Sequence, residues 1–319
     1  MTIVTSCNLD EVPEAVAMLE DVGTLIRCSN DRREVLAAVR DAEVYLGGAD
    51  VRVDREFLAA APKLHVIACP ATGREHLDWD AIRERGITIF HLAEERELLR
   101  SFTAVAEYVF ATVLMFDRKL IAAATAARDG RWVGEQFTGQ QLSGKTFGVL
   151  GLGRLGAIAA RIAIGFGMRV VAHDIRDIAD VGVQVVGFDT LLRESDILSI
   201  HVTLTPETTG MINAAALERM KSSAILVNTS RGPVVDEVAL LDALRSGRIR
   251  GAILDVLCGE WQPSATLRDY PLIAYAREHD NLLITPHVSS ATTESITGAR
   301  VFMAKKLVAH LTQLAAVTV

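Results

Sequence analysis

Thr146-Phe147-Gly148-Val149-Leu150-Gly151-Leu152-Gly153-Arg154-Leu155-Gly156 is a short, mostly apolar run followed by three glycines spaced two and three apart. A run of that length bounded by glycine reads as a buried strand, and the residues from Arg154 onward read as the opening of a helix. In a strand–turn–helix setting each glycine has its own duty. Gly151 permits the tight turn, Gly153 lets the backbone approach a pyrophosphate, and Gly156 allows helix and strand to pack closely. The phosphates belong at the positive end of that helix. Asp174 ends the next predicted strand, 23 positions beyond Gly151. That is close to the ~20 at which a carboxylate meets the adenosine ribose hydroxyls of a dinucleotide. Its charge repels a 2′-phosphate, so NAD is expected rather than NADP, with Arg176 placed to hold such a phosphate if Asp174 turned away.

The alternation extends in both directions. Residues 169–172, 197–200, 224–227, 251–254 and 282–285 join 146–150 as six strands of one doubly wound sheet. Toward the N-terminus, 2–6, 44–46, 65–68 and 87–92 read as strands between helices at 12–19, 34–39 and 78–85, with Asp10 and Asp78 as caps. Residues 101–128 read as one long helix between the halves, and 294–310 as a last helix returning to the first half. The fold class is α/β with two parallel-sheet domains, and the cleft between them is the expected site.

Composition narrows the function. A chain of 319 residues, half of them hydrophobic, is long enough for two cored domains. Its 33 Lys and Arg against 40 Asp and Glu give a net charge of −7, with no basic run. That argues against nucleic acid as a partner. Cys7, Cys28, Cys69 and Cys258 lie far apart with no CxxC pair, so neither a metal centre nor a disulfide framework is expected. No basic leader opens the chain, and the apolar stretch around 108–116 is too short to span a bilayer, so a cytoplasmic protein with no membrane partner is expected. Gly139-Gln140-Gln141-Leu142-Ser143-Gly144-Lys145-Thr146 matches a phosphate-binding P-loop letter by letter. It lacks a convincing strand before it, and a strand rather than a helix begins at Thr146, which sets an ATPase aside.

Three polar segments fall at predicted strand ends: Asn228-Thr229-Ser230-Arg231-Gly232, Asp255-Val256-Leu257-Cys258-Gly259-Glu260 and Thr285-Pro286-His287. Carboxyl ends of parallel strands are where such sheets bind ligands. With Leu142-Ser143-Gly144-Lys145-Thr146, Ser195-Asp196-Ile197-Leu198-Ser199-Ile200-His201, Thr205-Pro206-Glu207-Thr208-Thr209-Gly210 and Gly232-Pro233-Val234-Val235-Asp236-Glu237, they make the chain resemble the D-isomer-specific 2-hydroxyacid dehydrogenases over nearly its full length.

The resemblance implies a Rossmann NAD-binding domain at 101–288 inserted in a flavodoxin-like substrate domain at 1–100 plus 289–319, closing by a hinge. It implies Arg231 as the substrate arginine, His287 as the acid/base and Glu260 as its carboxylate partner. It places Thr229 and Asp255 near the nicotinamide, His201 and Thr205 on the adenosine side, and Arg154, with Leu155 of the glycine turn, near the pyrophosphate. This set suits the chemistry: a planar guanidinium for the carboxylate and oxygen of a 2-oxo acid, and an imidazole for its proton. The family's substrate loop corresponds to Cys69-Pro70-Ala71-Thr72-Gly73-Arg74-Glu75-His76, where Pro70 has no N–H to offer, so an amide cradle falls to Ala71, Thr72 and Gly73. Arg74, His76, Arg96 and Arg100 supply more positive charge than a lactate-like acid needs, so a substrate with a second anionic group is expected, a phosphate, phosphonate or carboxylate. The chain ends at Val319, and a regulatory domain like that of some phosphoglycerate dehydrogenases is not expected. The apolar stretch at 103–127 and the family habit suggest a homodimer. The alternative function is a dinucleotide-sensing, corepressor-like protein on the same scaffold. A Tyr followed four residues later by Lys, as short-chain dehydrogenases require, is absent from the sequence.

Overall fold

The computed structural model describes residues 1–178, 182–260 and 267–317. The chain divides into two compact units, Met1–Phe102 with Ala291–Val319, and Thr103–Ser290.

The first unit carries strands β1 (Thr2–Thr5), β2 (Thr24–Arg27), β3 (Val44–Leu46), β4 (Val66–Cys69) and β5 (Thr88–His91). All are parallel, in the order β2-β1-β3-β4-β5. This is the flavodoxin-like order, reversing between β1 and β3. Sequence reading missed β2: it is an edge strand, largely exposed, and carries no buried apolar run. Helices α1 (Pro13–Glu20), α2 (Arg32–Ala38), α3 (Arg55–Ala60) and α4 (Trp79–Glu84) connect the strands, and α5 (Arg96–Arg100) follows β5. Asp31, Asp54 and Asp78 each accept N–H groups from the first turns of α2, α3 and α4. Asp10 does not cap α1. That helix opens with Pro13, which has no N–H to satisfy, and Asp10 instead pairs with Arg27 at the end of β2. The C-terminal helix Thr293–Val317 buries Ala299, Met303, Ala304, Leu307 and Leu311 with Ala15 and Leu19 of α1 against one face of the sheet.

The second unit carries β6 (Thr146–Leu150), β7 (Arg169–His173), β8 (Val183–Val185), β9 (Ile197–Ile200), β10 (Ile225–Asn228), β11 (Gly251–Leu254) and β12 (Leu282–Ile284). They form one parallel sheet in the order β12-β11-β10-β9-β6-β7-β8. The sheet has seven strands rather than the expected six. The extra one, β8, is a three-residue edge strand with little buried surface to announce it. The order reverses between β6 and β9, which marks the carboxyl ends of those strands as the binding crevice.

The expected continuous helix over 101–128 is two helices, α6 (Ala104–Asp117) and α7 (Leu120–Arg128), separated by Lys119 at φ 50°. The cause is Asp117. It is 2% exposed, pairs with Arg250 and accepts the Gln140 N–H at 2.6 Å, which anchors the end of α6 and turns the chain. Arg96–Asp117 has the apolar composition of a membrane-crossing helix. Here it is broken between α5 and α6, and α6 spends its apolar face on the sheet through Ala106, Val109, Phe110 and Val113. Residues 139–146 form no phosphate loop, because Lys145 leads directly into β6 instead of opening a helix.

Candidate active site

The β6 turn has the shape its glycines require. Gly151 sits at φ 95°, and a Cβ there would lie 2.9 Å from the His201 carbonyl carbon and oxygen. A Cβ on Gly156 would lie 2.1 Å from the Gly151 carbonyl oxygen, so no side chain fits between turn and helix. The helix that follows, α8 (Arg154–Gly165), starts after Gly153 with no side-chain cap. A helix start without a side-chain cap is the arrangement that receives a pyrophosphate. Arg154 and Leu155 are the first two residues of that helix, and burial lowers the Arg154 pKa. Thr229 Oγ1, at the end of β10, is buried without a hydrogen-bond partner, as expected of a polar atom built to meet a bound group. These features fit a dinucleotide.

Asp174, just beyond β7, is saturated. Its Oδ2 accepts the Leu152 N–H and Arg176 Nη2, and its Oδ1 accepts the Arg176 N–H and Nε, all at 2.9 Å. The Arg176 guanidinium is the main reason that the carboxyl pKa falls to about 2. His201, after β9, bonds Ser199 Oγ through Nε2 at 2.9 Å, and burial lowers its pKa to about 4, so the ring is neutral. Thr205 lies in a hydroxyl-rich turn, its N–H donating to Thr208 Oγ1 at 2.8 Å.

Three strand-end loops shape the rest. After β10, buried Asn228 accepts the Ser230 N–H and hydroxyl at Oδ1 and donates Nδ2 to the Arg231 carbonyl at 2.9 Å, folding the turn that presents Arg231. The Arg231 guanidinium donates to the Ser230 carbonyl at 2.7 Å. Asn228 was quoted only as part of a motif, and its scaffolding role is a feature of the tertiary turn. After β11, Asp255 is 1% exposed and accepts Thr285 Oγ1 at 2.7 Å, the Val288 N–H at 2.9 Å and the Ser289 N–H at 2.8 Å. These bonds hold His287, after β12, at φ 53°, a left-handed conformation that side chains rarely adopt. His287 Nδ1 lies 3.0 Å from Glu260 Oε2. The hydrogen bond to Glu260 raises the histidine pKa, helped by the Glu260 and Asp255 charges and opposed by burial and Arg231. The imidazolium form is thereby favoured on a ring held by Glu260 through Nδ1.

In the first unit the loop after β4 is braced from below. His91 bonds the Gly73 carbonyl at 3.0 Å through Nε2, and Trp79 Nε1 donates to the Arg74 carbonyl at 3.3 Å. Ala71 and Gly73 are partly exposed and Thr72 is exposed. The expected cluster of open cations is smaller than the sequence suggested. His76 is buried against Cys69 Sγ at 3.3 Å, and Arg74 lies over Trp79 and 3.6 Å from Glu94. Arg96 and Arg100 stand exposed at the two ends of α5.

Residues 110–289 match the family described as D-isomer specific 2-hydroxyacid dehydrogenase, NAD binding domain. The chain is 38% identical over 270 residues to the D-3-phosphoglycerate dehydrogenase of Mycobacterium leprae, covering 83% of this chain and 48% of that one. It thus spans about half the length of such relatives. It is 37% identical over 289 residues to the glyoxylate reductase of Thermofilum pendens, covering 88% of this chain and 81% of that one. Among solved structures, the D-lactate dehydrogenase from Aquifex aeolicus complexed with NAD and lactic acid superposes with a TM-score of 0.84 at 29% identity, over 98% of this chain and 96% of that one.

Proposed function

The chain belongs to the D-isomer-specific 2-hydroxyacid dehydrogenase family, and from that premise we propose that it interconverts a D-2-hydroxy acid and its 2-oxo acid. The observation that carries the reading is the His287–Glu260 pair, 3.0 Å apart at the carboxyl edge of the sheet that also holds the glycine turn. A nicotinamide dinucleotide bound at that turn supplies or accepts the hydride. Arg231 presents a planar cation suited to the substrate carboxylate and to the charge growing on the carbonyl oxygen. On reduction, His287 in its imidazolium form gives its Nε2 proton to that oxygen, and on oxidation the neutral ring takes the hydroxyl proton. Glu260 fixes the ring orientation through Nδ1 and stabilises the charged form.

The roles expected of Gly151, Gly153, Arg154, Leu155, Gly156, Asp174, His201, Thr205, Thr229 and Asp255 toward the dinucleotide, and of Ala71, Thr72, Gly73, Arg74 and Arg100 toward the acid, are part of this proposal. So is NAD as the preferred cofactor, a second anionic group on the substrate, a cytoplasmic location, and a homodimer. The dimer is supported by exposed Leu120, Ile121, Trp132 and Val133 along α7 and the segment after it. Sedimentation of the wild type against Ile121→Glu/Trp132→Glu tests it, and a wild-type monomer would end it.

The decisive test is NADH and NADPH consumption with pyruvate, glyoxylate, hydroxypyruvate, 3-phosphohydroxypyruvate, phosphonopyruvate and oxaloacetate, with His287→Ala as control. Turnover abolished by the substitution is expected. Tight NADH binding with silence across the panel would overturn the enzyme reading in favour of a dinucleotide sensor.

A further inference from the structure

Glu260 can serve His287 only if the four-residue turn that carries it, Leu257 to Glu260, holds still. Within the turn, the Glu260 N–H donates to the Leu257 carbonyl at 3.3 Å, and the Leu257 N–H reaches Glu260 Oε2 at 3.4 Å. The outer side of the turn is tied to a group that the reaction does not use. Helix α9 (Glu237–Arg245) begins with Glu237, but Asp236 already caps it by accepting the Val238 and Ala239 N–H groups. Glu237 is thus not needed as a cap, and its carboxylate points across to the turn. Oε1 accepts the Cys258 N–H at 2.8 Å, and Oε2 accepts the hydroxyl of Tyr270. The Cys258 peptide is therefore held by the Glu237 carboxylate, whose other oxygen is held in turn by the Tyr270 phenol. From the other side, a Cβ on Gly232 would lie 2.2 Å from the Leu257 carbonyl carbon and 2.4 Å from the Cys258 nitrogen. The turn that presents Arg231 thus rests directly on the turn that presents Glu260.

We propose that Glu237 and Tyr270 are positioning residues that fix the Leu257–Glu260 turn and thereby hold the Glu260 carboxylate on His287 Nδ1. Neither touches the reacting atoms. The inference rests on the reading of His287 and Glu260 as an acid/base pair, but its principal readout does not require turnover. The charged groups facing His287 are Glu260, Asp255 and Arg231, and those facing the turn are Glu237 and Asp236, beside the titratable but neutral Cys258 and Tyr270 side chains.

The test is an NMR titration of the His287 imidazole in the full chain, for wild type, Glu237→Ala, Glu237→Gln, Tyr270→Phe and Glu260→Gln, with kcat and KM against pH in parallel. Glu260→Gln should move the His287 midpoint down. Glu237→Ala and Tyr270→Phe should move it in the same direction by less, with kcat falling roughly tenfold, the weight of about one hydrogen bond to a charged group, and KM little changed. Glu237→Gln should stay near wild type, because its amide oxygen still accepts the Cys258 N–H. Wild-type midpoints in Glu237→Ala and Tyr270→Phe, beside a displaced Glu260→Gln, would overturn the proposal. A Glu260→Gln midpoint that does not move would overturn it together with the pair it serves. Displaced midpoints in a chain that reduces none of the 2-oxo acids would uphold the clamp and refute the dehydrogenase.

Discussion

Replacing Arg176 by alanine should sharpen the choice between the two dinucleotides. Of the four hydrogen bonds on Asp174, two come from the Arg176 guanidinium, and they occupy acceptor positions that ribose hydroxyls would use. The carboxylate is 7% exposed and the guanidinium 60% exposed, so parting them costs about the 0.2–1 kcal/mol of a surface pair. The substitution removes that cost, and NADH should bind up to about fivefold more tightly. For NADPH the sign reverses. The 2′-phosphate loses its nearest cation and is left beside an unpaired carboxylate, one unit of charge removed and worth about 1 kcal/mol per unit of phosphate charge at ~4 Å in a water-like medium. A dianion then loses roughly 2 kcal/mol, or about 30-fold. The NADH-to-NADPH affinity ratio should therefore rise by about 30-fold or more, measured as two Kd values from reduced-nicotinamide fluorescence at fixed ionic strength, without any substrate. A ratio unchanged within about threefold, or one moving toward NADPH, would refute the place given to Asp174 and Arg176.

Glu260→Gln should confine reduction to lower pH, because reduction needs the imidazolium and the substitution removes the first cause of the raised His287 pKa. The same linkage appears in stability. The folded value lies above the ordinary one, so the pair's contribution is complete below the ordinary histidine range and is lost as pH rises through the raised value, and the Tm gap between wild type and Glu260→Gln should close at alkaline pH. Gly156→Ala places a methyl 2.1 Å from the Gly151 carbonyl and should lose dinucleotide binding along with about 1–3 kcal/mol of stability, read by NADH titration and urea unfolding. Asp117→Ala leaves Arg250 without its partner and frees the Gln140 N–H. It should cost at least about 2 kcal/mol in the same unfolding assay, and a loss under about 0.5 kcal/mol would show that the α6–α7 break has another cause.

What the sequence disclosed was whatever is enforced locally. A positive φ at Gly151 and a missing Cβ at Gly156 leave glycine as the residue that fits, so the turn could be read from letters alone. The buried central strands announced themselves as apolar runs. β2 and β8 did not, because edge strands keep one side in water and their composition, Thr24-Leu25-Ile26-Arg27 and Val183-Gln184-Val185, is that of a loop as much as a strand. The break after α6 was hidden because it is decided by Asp117 and Arg250, 133 positions apart. Burial of His76 is likewise set by Cys69 in the preceding strand rather than by its charged neighbours Arg74 and Glu75. At the site, Arg231, Glu260 and His287 were singled out by motif, but the 3.0 Å separation and the Asn228 and Asp255 scaffolds exist only once neighbouring strand ends are brought into register.

The C-terminal helix that fills one face of the first sheet has a consequence for birth on the ribosome. Synthesis delivers the five strands of that sheet within the first 91 residues, yet the side chains that cover them between Ala299 and Leu311 emerge some two hundred residues later. The intervening Thr103–Ser290 segment holds its own two-sided core and needs nothing from either end of the chain to bury it. The inserted unit is thus the first able to complete itself, while the N-terminal sheet waits with an apolar face open to solvent or to chaperones. A released chain ending at residue 290 should resist protease over its second unit and be cut within its first, and restoring the final helix should close that vulnerability.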